Sequence, residues 1–305
     1  MRYKYDDTPD KKGKGKHTHL LDLNDTGEFK KLTGTSSVVD VLGKPLSWWA
    51  SGEAVKTLGW VHSKIKHNGR EVGEVPAKDR EKAANEILKL IKKENKTAYL
   101  ARLDAAYKAH SVKLDQSAKA GTDLHAELER FVKWYMNGKA PSEETFSERI
   151  IPFIDWSINN VKEFIYSEAN CFHEKLWLGG ISDVGAILKE HVIETSDGQI
   201  EVPEGTRAII DFKSSKEAYY SQFVQGGGYA LQIEENGLFD ADGNQTGKID
   251  QPFDAVIIVP FGAEIVYPDL RMKADEYKEA FTHCLSLYRL MGKDKSDYNY
   301  GQKKT

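Results

Sequence analysis

The sequence has few cysteines, no long apolar run and no large excess of charge of either sign. Its 305 residues include two cysteines, Cys171 and Cys284, which excludes a disulfide framework or a four-cysteine iron–sulfur site within this chain. No window approaches the roughly 18 apolar residues that a membrane-spanning helix needs, and the start of the chain has no apolar signal core. We therefore predict a soluble, cytoplasmic protein without a membrane partner.

The overall charge does not identify a partner. The 43 Lys and Arg residues against 47 Asp and Glu residues give a formal net charge of −4, so the chain has no overall basic character that would favour nucleic acid. A polyanion would have to be bound by a local basic patch or through metal ions. Charge alone therefore neither supports nor excludes DNA.

The pattern along the chain changes from helical to extended near residue 169. Residues 1–35 form a polar N-terminal segment, in which we interpret "DKKGKGKHTH" as an exposed loop or mobile hairpin rather than core. Residues 36–168 are mainly helical and include a helical arm over 77–120, whereas residues 169–305 alternate strands and helices. We predict a single α/β domain over 36–305, with a central mixed β-sheet flanked by helices.

The stretch "RAIIDFKSS" ends a buried strand with Asp211 and Lys213, whose side chains share one face because strand side chains alternate. Asp183 and Asp211 are symmetric about Asp197 in an "SDG" turn, so an antiparallel pairing in register would bring both carboxylates together. Facing carboxylates repel unless a cation or a proton lies between them, and hard oxygen ligands favour Mg²⁺ or Mn²⁺. The pattern predicts a metal site suited to phosphodiester hydrolysis. Taken alone, D-x-K most often marks a surface salt bridge.

Two pairs at helical spacing supply further polar groups. In "GTDLHAELERF", His125 and Glu129 lie on one helix face, where His125 is a candidate metal ligand or, alternatively, a packing residue at the core boundary. In "QFVQGGGYA", Gln225 and Tyr229 are candidates to orient Lys213 or to hold a backbone phosphate, or are ordinary helix surface. Three consecutive glycines cost roughly 1 kcal/mol each in a helix. This cost predicts that another element or a ligand approaches the helix backbone closely.

The motifs "GTDLHAELE", "EANCFHEKLWLGGISDVGAI", "AIIDFKSS" and "QGGGYA", in this order, resemble the successive motifs of RecB-type nucleases of the PD-(D/E)XK superfamily. The stretch "SSVVDVLGKPLSWWA" is similar to the start of phage and mitochondrial genome-maintenance exonucleases of this group. The resemblance extends from about residue 35 to 230. It implies a restriction-endonuclease-like core and a metal-dependent deoxyribonuclease, an exonuclease acting from free ends in phage or cellular DNA replication, recombination or degradation.

The resemblance also implies roles for individual residues. His125 and Asp183 would bind the metal, Asp211 would bind or bridge it, and Lys213 would be catalytic. Glu168 resembles the glutamate that precedes the first aspartate in the family and would orient a metal-bound water.

Other residues would have supporting roles. Glu174 is an alternative to Glu168, and Gln225, Tyr229 and Glu129 would bind the substrate or support the catalytic lysine. The cofactor would be Mg²⁺ or Mn²⁺. The substrate would be DNA, single-stranded or with free ends, and replication or recombination proteins are candidate partners.

The chain departs from the family pattern in three ways. The loop between the two metal-binding strands is longer than usual and contains Pro203, so a bulge could shift the register by one residue. The four cysteines that hold an iron–sulfur cluster in some relatives are absent, so we expect no cluster. No helicase signature G-x-x-x-x-G-K-[ST] is present, which implies a stand-alone nuclease.

Two other functions are compatible with these residues. The first is a catalytically silent DNA-binding or assembly protein that keeps the nuclease-like fold, although the chain retains the histidine, both aspartates and the lysine. The second is a metal hydrolase for a small phosphorylated substrate, which would not need the long helical arm.

Overall fold

The structure is a computed structural model that describes residues 1–8, 17–43, 46–59, 64–67, 70–138, 145–195, 198–262 and 266–298. In chain order the elements are β1 (Arg2–Asp6), β2 (Thr18–Asp22), β3 (Lys30–Lys31), β4 (Thr33–Gly34), α1 (Thr35–Val38), α2 (Leu46–Thr57), β5 (Lys64–His67), β6 (Arg70–Glu74), α3 (Ala77–Lys93), α4 (Lys96–Met136), α5 (Ile151–Asn160), β7 (Val161–His173), β8 (Leu178–Leu188), β9 (His191–Thr195), β10 (Gly198–Val202), β11 (Arg207–Lys213), α6 (Tyr220–Asn236), β12 (Leu238–Phe239), β13 (Gln245–Gly247), β14 (Ala255–Pro260), β15 (Asp269–Arg271) and α7 (Ala274–Leu290). A 3-10 turn, Val39–Leu42, follows α1.

The chain divides into two compact units. One comprises Met1–Gly43 together with His125–Thr305, and the other comprises Lys44–Leu124. Helix α4 begins in the second unit and ends in the first. The single domain that we expect over 36–305 stays a prediction, because contacts within a structure do not measure independent folding.

The first unit is built on a mixed sheet with the strand order β13-β12-β7-β8-β11-β14-β15, and β4 pairs additionally with β8. Strands β7, β8 and β11 are antiparallel neighbours, whereas β11 and β14 are parallel. Helix α6 lies in the connection between the two parallel strands, which need such a crossover. The architecture is therefore α/β, with a central mixed sheet flanked by helices, as predicted from the sequence.

Strands β8 and β11 pair in the predicted antiparallel register. Ile210 pairs with Val184 at the end of the ladder, so the next residues along the strands are Asp211 and Asp183. The connection is more elaborate than a turn, because β9 and β10 pair with each other in a separate two-stranded sheet. Asp197, the predicted centre of symmetry, lies outside the described residues.

The predicted boundary between helical and extended structure, at residues 168 and 169, is wrong. Helix α5 ends at Asn160 and β7 begins at Val161, where Val161, Phe164 and Tyr166 are buried. The pairing of β7 with β8 shifts register twice in this stretch, as β-bulges do. The bulges place apolar residues three apart in a strand, and this spacing imitates that of a helix.

Of the stretch "DKKGKGKHTH", only residues 17–19 are described; Thr18 and His19 belong to a hairpin of β1 and β2, but they are buried, so the expectation that this stretch lies outside the core is wrong there. Strands β1, β2 and β3 form an antiparallel sheet. Tyr3, Leu21 and Leu32 are buried in a cluster with Phe172 and Trp177 of the β7–β8 hairpin. The average polarity of the segment conceals these few alternating apolar side chains.

Most of the remaining element predictions are confirmed. Residues 77–120 are helical, in α3 and the first part of α4. Although α4 has 41 residues, no helix in the described part of the chain is long and apolar enough to span a membrane. Both cysteines are unpaired and buried: Cys171 on β7 and Cys284 on α7.

The three glycines of α6 lie where other elements approach its backbone. A Cβ atom on Gly226 would lie 2.5 Å from a methyl of Val256 on β14, and one on Gly228 would lie 2.5 Å from the ring of Phe281 on α7. At Gly227 the nearest atoms are backbone, with the carbonyl carbon of Tyr277 at 2.4 Å. The predicted close approach is therefore made by β14 and α7.

We expect Gly227→Ala to destabilise the protein by about 3 kcal/mol, because a methyl group at this position displaces backbone rather than a movable side chain. The matched control is Gly52→Ala in α2, where an added Cβ would meet no neighbouring group within 4 Å. The control should be neutral or stabilising by up to about 1 kcal/mol, since alanine favours helix. Urea unfolding followed by circular dichroism measures both. Equal stabilities of Gly227→Ala and the parent would contradict the close packing of α6 on α7.

Candidate functional site

Three carboxylates lie across three neighbouring strands. The β7–β8 pairs on either side of Glu168 place it opposite Asp183. The β8–β11 ladder, which ends with Ile210 opposite Val184, continues to Asp211 beside Asp183. Glu168 has a backbone φ of +45°, a left-handed conformation that is uncommon for a residue other than glycine. Such strain often accompanies functional positions.

The register also decides between Glu168 and the alternative Glu174. Glu174 lies in the turn after β7, and its backbone N–H donates to the Asn236 side chain at 3.4 Å. The glutamate beside Asp183 is therefore Glu168.

Helix α4 brings His125 to the same place. The Nδ1 atom of His125 lies 3.5 Å from Asp183 Oδ1. The imidazole and the Phe212 ring pack edge-to-face, with their centroids 6.0 Å apart. The backbone N–H of Phe212 donates to the other oxygen of Asp183 at 2.7 Å. Asp183 is thus held between an imidazole and a backbone amide.

Lys213 pairs with the second aspartate of the site. Its Nζ atom lies 2.6 Å from Asp211 Oδ2, and Asp211 is 2% exposed. The Asp211 carboxylate is thus a buried charge whose partner in this structure is the Lys213 ammonium. A buried carboxylate is costly unless a positive group reaches it, as Lys213 does here.

Glu129 and Lys133 complete the charged groups. The Glu129 carboxylate forms an ion pair with Lys133 one helical turn further along α4. The same carboxylate shares a hydrogen bond with Glu168. A small, partly open pocket beside these groups has a volume of about 10 Å³, which is room for one water or ion. Its lining consists of His125, Glu129, Glu168, Asp183, Val184 and Phe212.

The two aspartates have opposite pKa shifts. The pKa of Asp211 is raised to about 6. Burial and the Asp183 charge raise this pKa, and together they outweigh the Lys213 charge, which lowers it. Burial also acts to raise the pKa of Asp183, but the hydrogen bond and charge of His125, with the Lys213 charge and the Phe212 N–H, lower it instead. One carboxyl of the pair is therefore protonated more easily, as expected for neighbouring acids.

The pKa values of the two basic groups are both raised. Burial acts to lower the pKa of Lys213, and the charges of Asp211 and Asp183 raise it. For His125, burial likewise acts to lower the pKa, and the hydrogen bond and charge of Asp183 raise it. Lys213 is accordingly an ammonium ion at neutral pH.

Glu168 has the pKa nearest neutrality among these acids. Partial burial of its carboxyl, the hydrogen bond and charge of Glu129, and the charge of Asp183 raise the pKa of Glu168 to about 7. The residue as a whole is exposed, so solvent screens part of this effect. For Glu129, burial acts to raise the pKa, but the Lys133 and Glu168 hydrogen bonds lower it. The pair can hold one proton between two carboxylates.

Gln225 and Tyr229 are buried side chains of α6 rather than surface residues. Both side chains are buried, and Gln225 Nε2 donates to Tyr229 Oη at 2.7 Å. Burial, followed by the charges of Asp211 and Asp183, raises the pKa of Tyr229 well above its ordinary value. Their burial excludes the alternative of ordinary helix surface, but the hydrogen bond joins them to each other and not to Lys213.

The donor types of the site suit a hard divalent cation, but the described residues contain no ready group of three or more His, Cys, Asp or Glu side chains that could hold one. Asp211 is paired with Lys213, and Asp183 with His125. The carboxylates of Asp183 and Asp211 fit such an ion in chemistry, and the small pocket beside Asp183 has room for one. An ion would have to compete with the two existing pairs.

Two contributors to the site were not predicted from the sequence. Phe212 holds Asp183 through its backbone N–H, and no sequence pattern signals a backbone contact of this kind. Lys133 pairs with Glu129, and the four-residue spacing along a helix would have indicated this pair.

Replacing Glu129 should lower the pKa of Glu168. In Glu129→Gln the neighbouring charge is lost, so the Glu168 carboxyl ionises nearer its ordinary pKa of about 4.3. Carboxyl ¹³C NMR over pH 3–9 in the presence of a chelator measures the change. The matched control is Glu204→Gln, which removes an exposed glutamate paired with Lys162. An unchanged Glu168 titration in Glu129→Gln would show that the two carboxyls do not interact.

Comparison with known proteins adds no identification. No family model matches the chain, and no curated protein matches it significantly in sequence. The assignment of a function therefore depends on the residues of the site and on the motif resemblance described above.

Proposed function

We propose that the protein is a divalent-metal-dependent DNA nuclease with a restriction-endonuclease-like core. The observation that supports this proposal most is that α4 and two neighbouring strands bring His125 to Asp183 and Lys213 to Asp211, with the two aspartates adjacent in the strand register. A histidine, two carboxylates and an ammonium ion are the groups that a metal-assisted phosphodiester hydrolysis uses. A surface salt bridge would not require the buried position of Asp211.

His125, Asp183 and Asp211 would hold the metal ion, either Mg²⁺ or Mn²⁺. When bound, the ion supplies Lewis acidity for the phosphate and a lowered pKa for a bound water. The carboxylates of Asp183 and Asp211 are hard ligands that both ions accept, whereas the imidazole of His125 suits manganese better than magnesium. No iron–sulfur cluster is part of the proposal.

Lys213 would stabilise negative charge and would not transfer a proton. Its pKa is raised above the ordinary value by the two aspartates, so it does not supply a free amine at neutral pH. The ammonium would stabilise the negative charge that accumulates on the phosphate in the transition state. Binding of an ion to Asp211 would weaken the ion pair that engages Lys213 in this structure.

The Glu129–Glu168 pair is the candidate for proton transfer. A carboxyl with a pKa of about 7 is partly ionised at neutral pH, as a general base or acid requires. Glu168 is also the acid beside Asp183, which would place it next to a water at the metal. We assign Glu168 to orienting or deprotonating the attacking water, and Glu129 to setting its pKa.

The finer parts of the proposal depend on the motif resemblance. They are exonucleolytic action from free ends, a single-stranded or free-ended DNA substrate, and a role in phage or cellular replication, recombination or degradation. Location in the cytoplasm, of the host in the case of a phage protein, belongs to the same group. Gln225 and Tyr229 would support the site through the hydrogen bond between their buried side chains, close enough to the two aspartates for their charges to raise the pKa of Tyr229.

The direct test is incubation of linear and covalently closed DNA, single- and double-stranded, with Mg²⁺, Mn²⁺ or chelator. We expect metal-dependent cleavage of the linear substrates, and a loss of about 10²–10³-fold in rate for Lys213→Ala because an aligned positive charge is removed. The control Lys162→Ala removes an exposed lysine that pairs with Glu204 and should cleave like the parent.

Each other result has a definite meaning. Closed circles cut as fast as linear DNA would show an endonuclease. DNA binding without cleavage under all conditions would favour the silent DNA-binding protein. Hydrolysis of small phosphate esters but not of DNA would favour the small-substrate hydrolase.

Asp211→Asn should separate metal binding from folding. The raised pKa of Asp211 means that its charge opposes folding, so its contribution to stability is favourable below the unfolded pKa of about 3.9 and is lost as the pH rises through about 6. At pH 8 without metal, the variant should be as stable as the parent or up to about 2 kcal/mol more stable. Added Mg²⁺ or Mn²⁺ should raise the melting temperature of the parent much more than that of the variant. Equal metal-induced shifts would show that Asp211 is not a ligand.

A further inference from the structure

A second, larger cavity lies in the first unit, away from the candidate metal site. It has a volume of about 540 Å³, within the range of pockets that hold small molecules. Strand β4, on its wall, pairs with Leu178 and Gly179 at the start of β8. Asp183 is four residues further along β8, or roughly 13 Å at the usual rise of a strand. The lining consists of His17, Thr18, His19, Lys31, Leu32, Thr33, Gly34, Ser37, Asp40, Tyr288, Gly292, Lys293, Asp294, Lys295 and Ser296.

The wall formed by the segment after α7 is anchored by specific contacts. Asp294 accepts hydrogen bonds from Thr33 Oγ1 at 2.9 Å and from Arg289 Nε at 3.0 Å. Two hydrogen bonds join Lys31 and Asp297. The Lys31 backbone N–H donates to Asp297 Oδ2 at 2.7 Å, and the Asp297 backbone N–H donates to the Lys31 carbonyl at 2.9 Å. The cavity is therefore bounded by two segments that are tied together, and not by a freely moving tail.

The charges that line this cavity do not balance. Lys31, Lys293 and Lys295 form no ion pair with any residue in the part of the chain that the structure describes. Of the two acids in the lining, Asp294 is neutralised by Arg289, which leaves Asp40 alone against three ammonium groups. An excess of two positive charges in a chain with a net charge of −4 attracts an anion to this place.

The remaining lining favours an anion with an organic part. Thr18 and Ser37 offer hydroxyl groups, and Tyr288 offers apolar surface. Burial lowers the pKa of His19 to about 3, so this imidazole is neutral and can hydrogen-bond without adding charge. A phosphate ion alone would use only a small part of the space.

We propose that this cavity binds a phosphate monoester of the size of a nucleotide, with its phosphate among Lys31, Lys293 and Lys295. The polar side chains and the ring of Tyr288 contact the remainder of the ligand. The proposal does not depend on nuclease activity, because the cavity shares no lining residue with the candidate metal site.

Calorimetric titration in chelator tests the proposal with three probes: deoxyadenosine 5′-monophosphate, deoxyadenosine and inorganic phosphate. We expect saturable binding of the monophosphate at one site, and binding at least about tenfold weaker for the other two probes, since each lacks one half of the recognised groups. The chelator prevents any hydrolysis, so the outcome is independent of the proposed catalytic function.

Two variants and a control show where the ligand binds. The triple variant Lys31→Ala/Lys293→Ala/Lys295→Ala should bind the monophosphate about tenfold or more weakly. Ser37→Leu fills the cavity without changing the charge and should also weaken binding. The control triple, Lys108→Ala/Lys216→Ala/Lys248→Ala, removes three exposed lysines outside the cavity and should bind like the parent.

The proposal is overturned by any of four results. They are no saturable binding, equal affinity for the monophosphate and the nucleoside, inorganic phosphate binding as tightly as the monophosphate, and equal weakening by the lining and control triples. Circular dichroism of each variant establishes that a loss of binding is not a loss of folding.

Discussion

The site depends on the register of three strands. Side chains on a strand alternate between faces, so a slip of one residue between β8 and β11 would turn Asp211 to the opposite face from Asp183. The same holds for Glu168 on β7, which stands opposite Asp183 between two regular pairs. The separate β9–β10 hairpin is compatible with this register because the long connection pairs with itself and leaves the β8–β11 ladder unbroken.

The electrostatics of the site consist of linked pairs. Three ion pairs join Lys213 to Asp211, His125 to Asp183, and Lys133 to Glu129. The Glu129 carboxylate also interacts with the Glu168 carboxyl. Glu168 forms no ion pair with any residue that the structure describes, and its pKa is the one raised nearest to neutrality. A divalent ion would replace the two positive side chains at the aspartates by a single, more concentrated charge, and it would free Lys213 for other contacts.

The sequence predicted the strand that ends in Asp211 and Lys213, the partner Asp183, and the helical pair of His125 and Glu129. These predictions succeeded because alternation in strands and four-residue spacing in helices are local properties. The start of β7 was missed because its bulges place apolar residues at a helix-like spacing. The burial of the N-terminal sheet was missed because its buried side chains Tyr3, Leu21 and Leu32 pack against the distant β7–β8 hairpin. Contacts between distant segments leave no periodic signal in either of them.

The burial of both cysteines has a practical consequence for spectroscopy. Cys171 is fully buried and Cys284 is 7% exposed, and burial raises the pKa of both thiols, which makes them poor nucleophiles. Maleimide or spin-label reagents will therefore react selectively with a cysteine introduced on the surface of the native protein. One label on α3 and one on α7 would report the distance between the two units of the chain, and its distribution in solution, without removal of either native thiol.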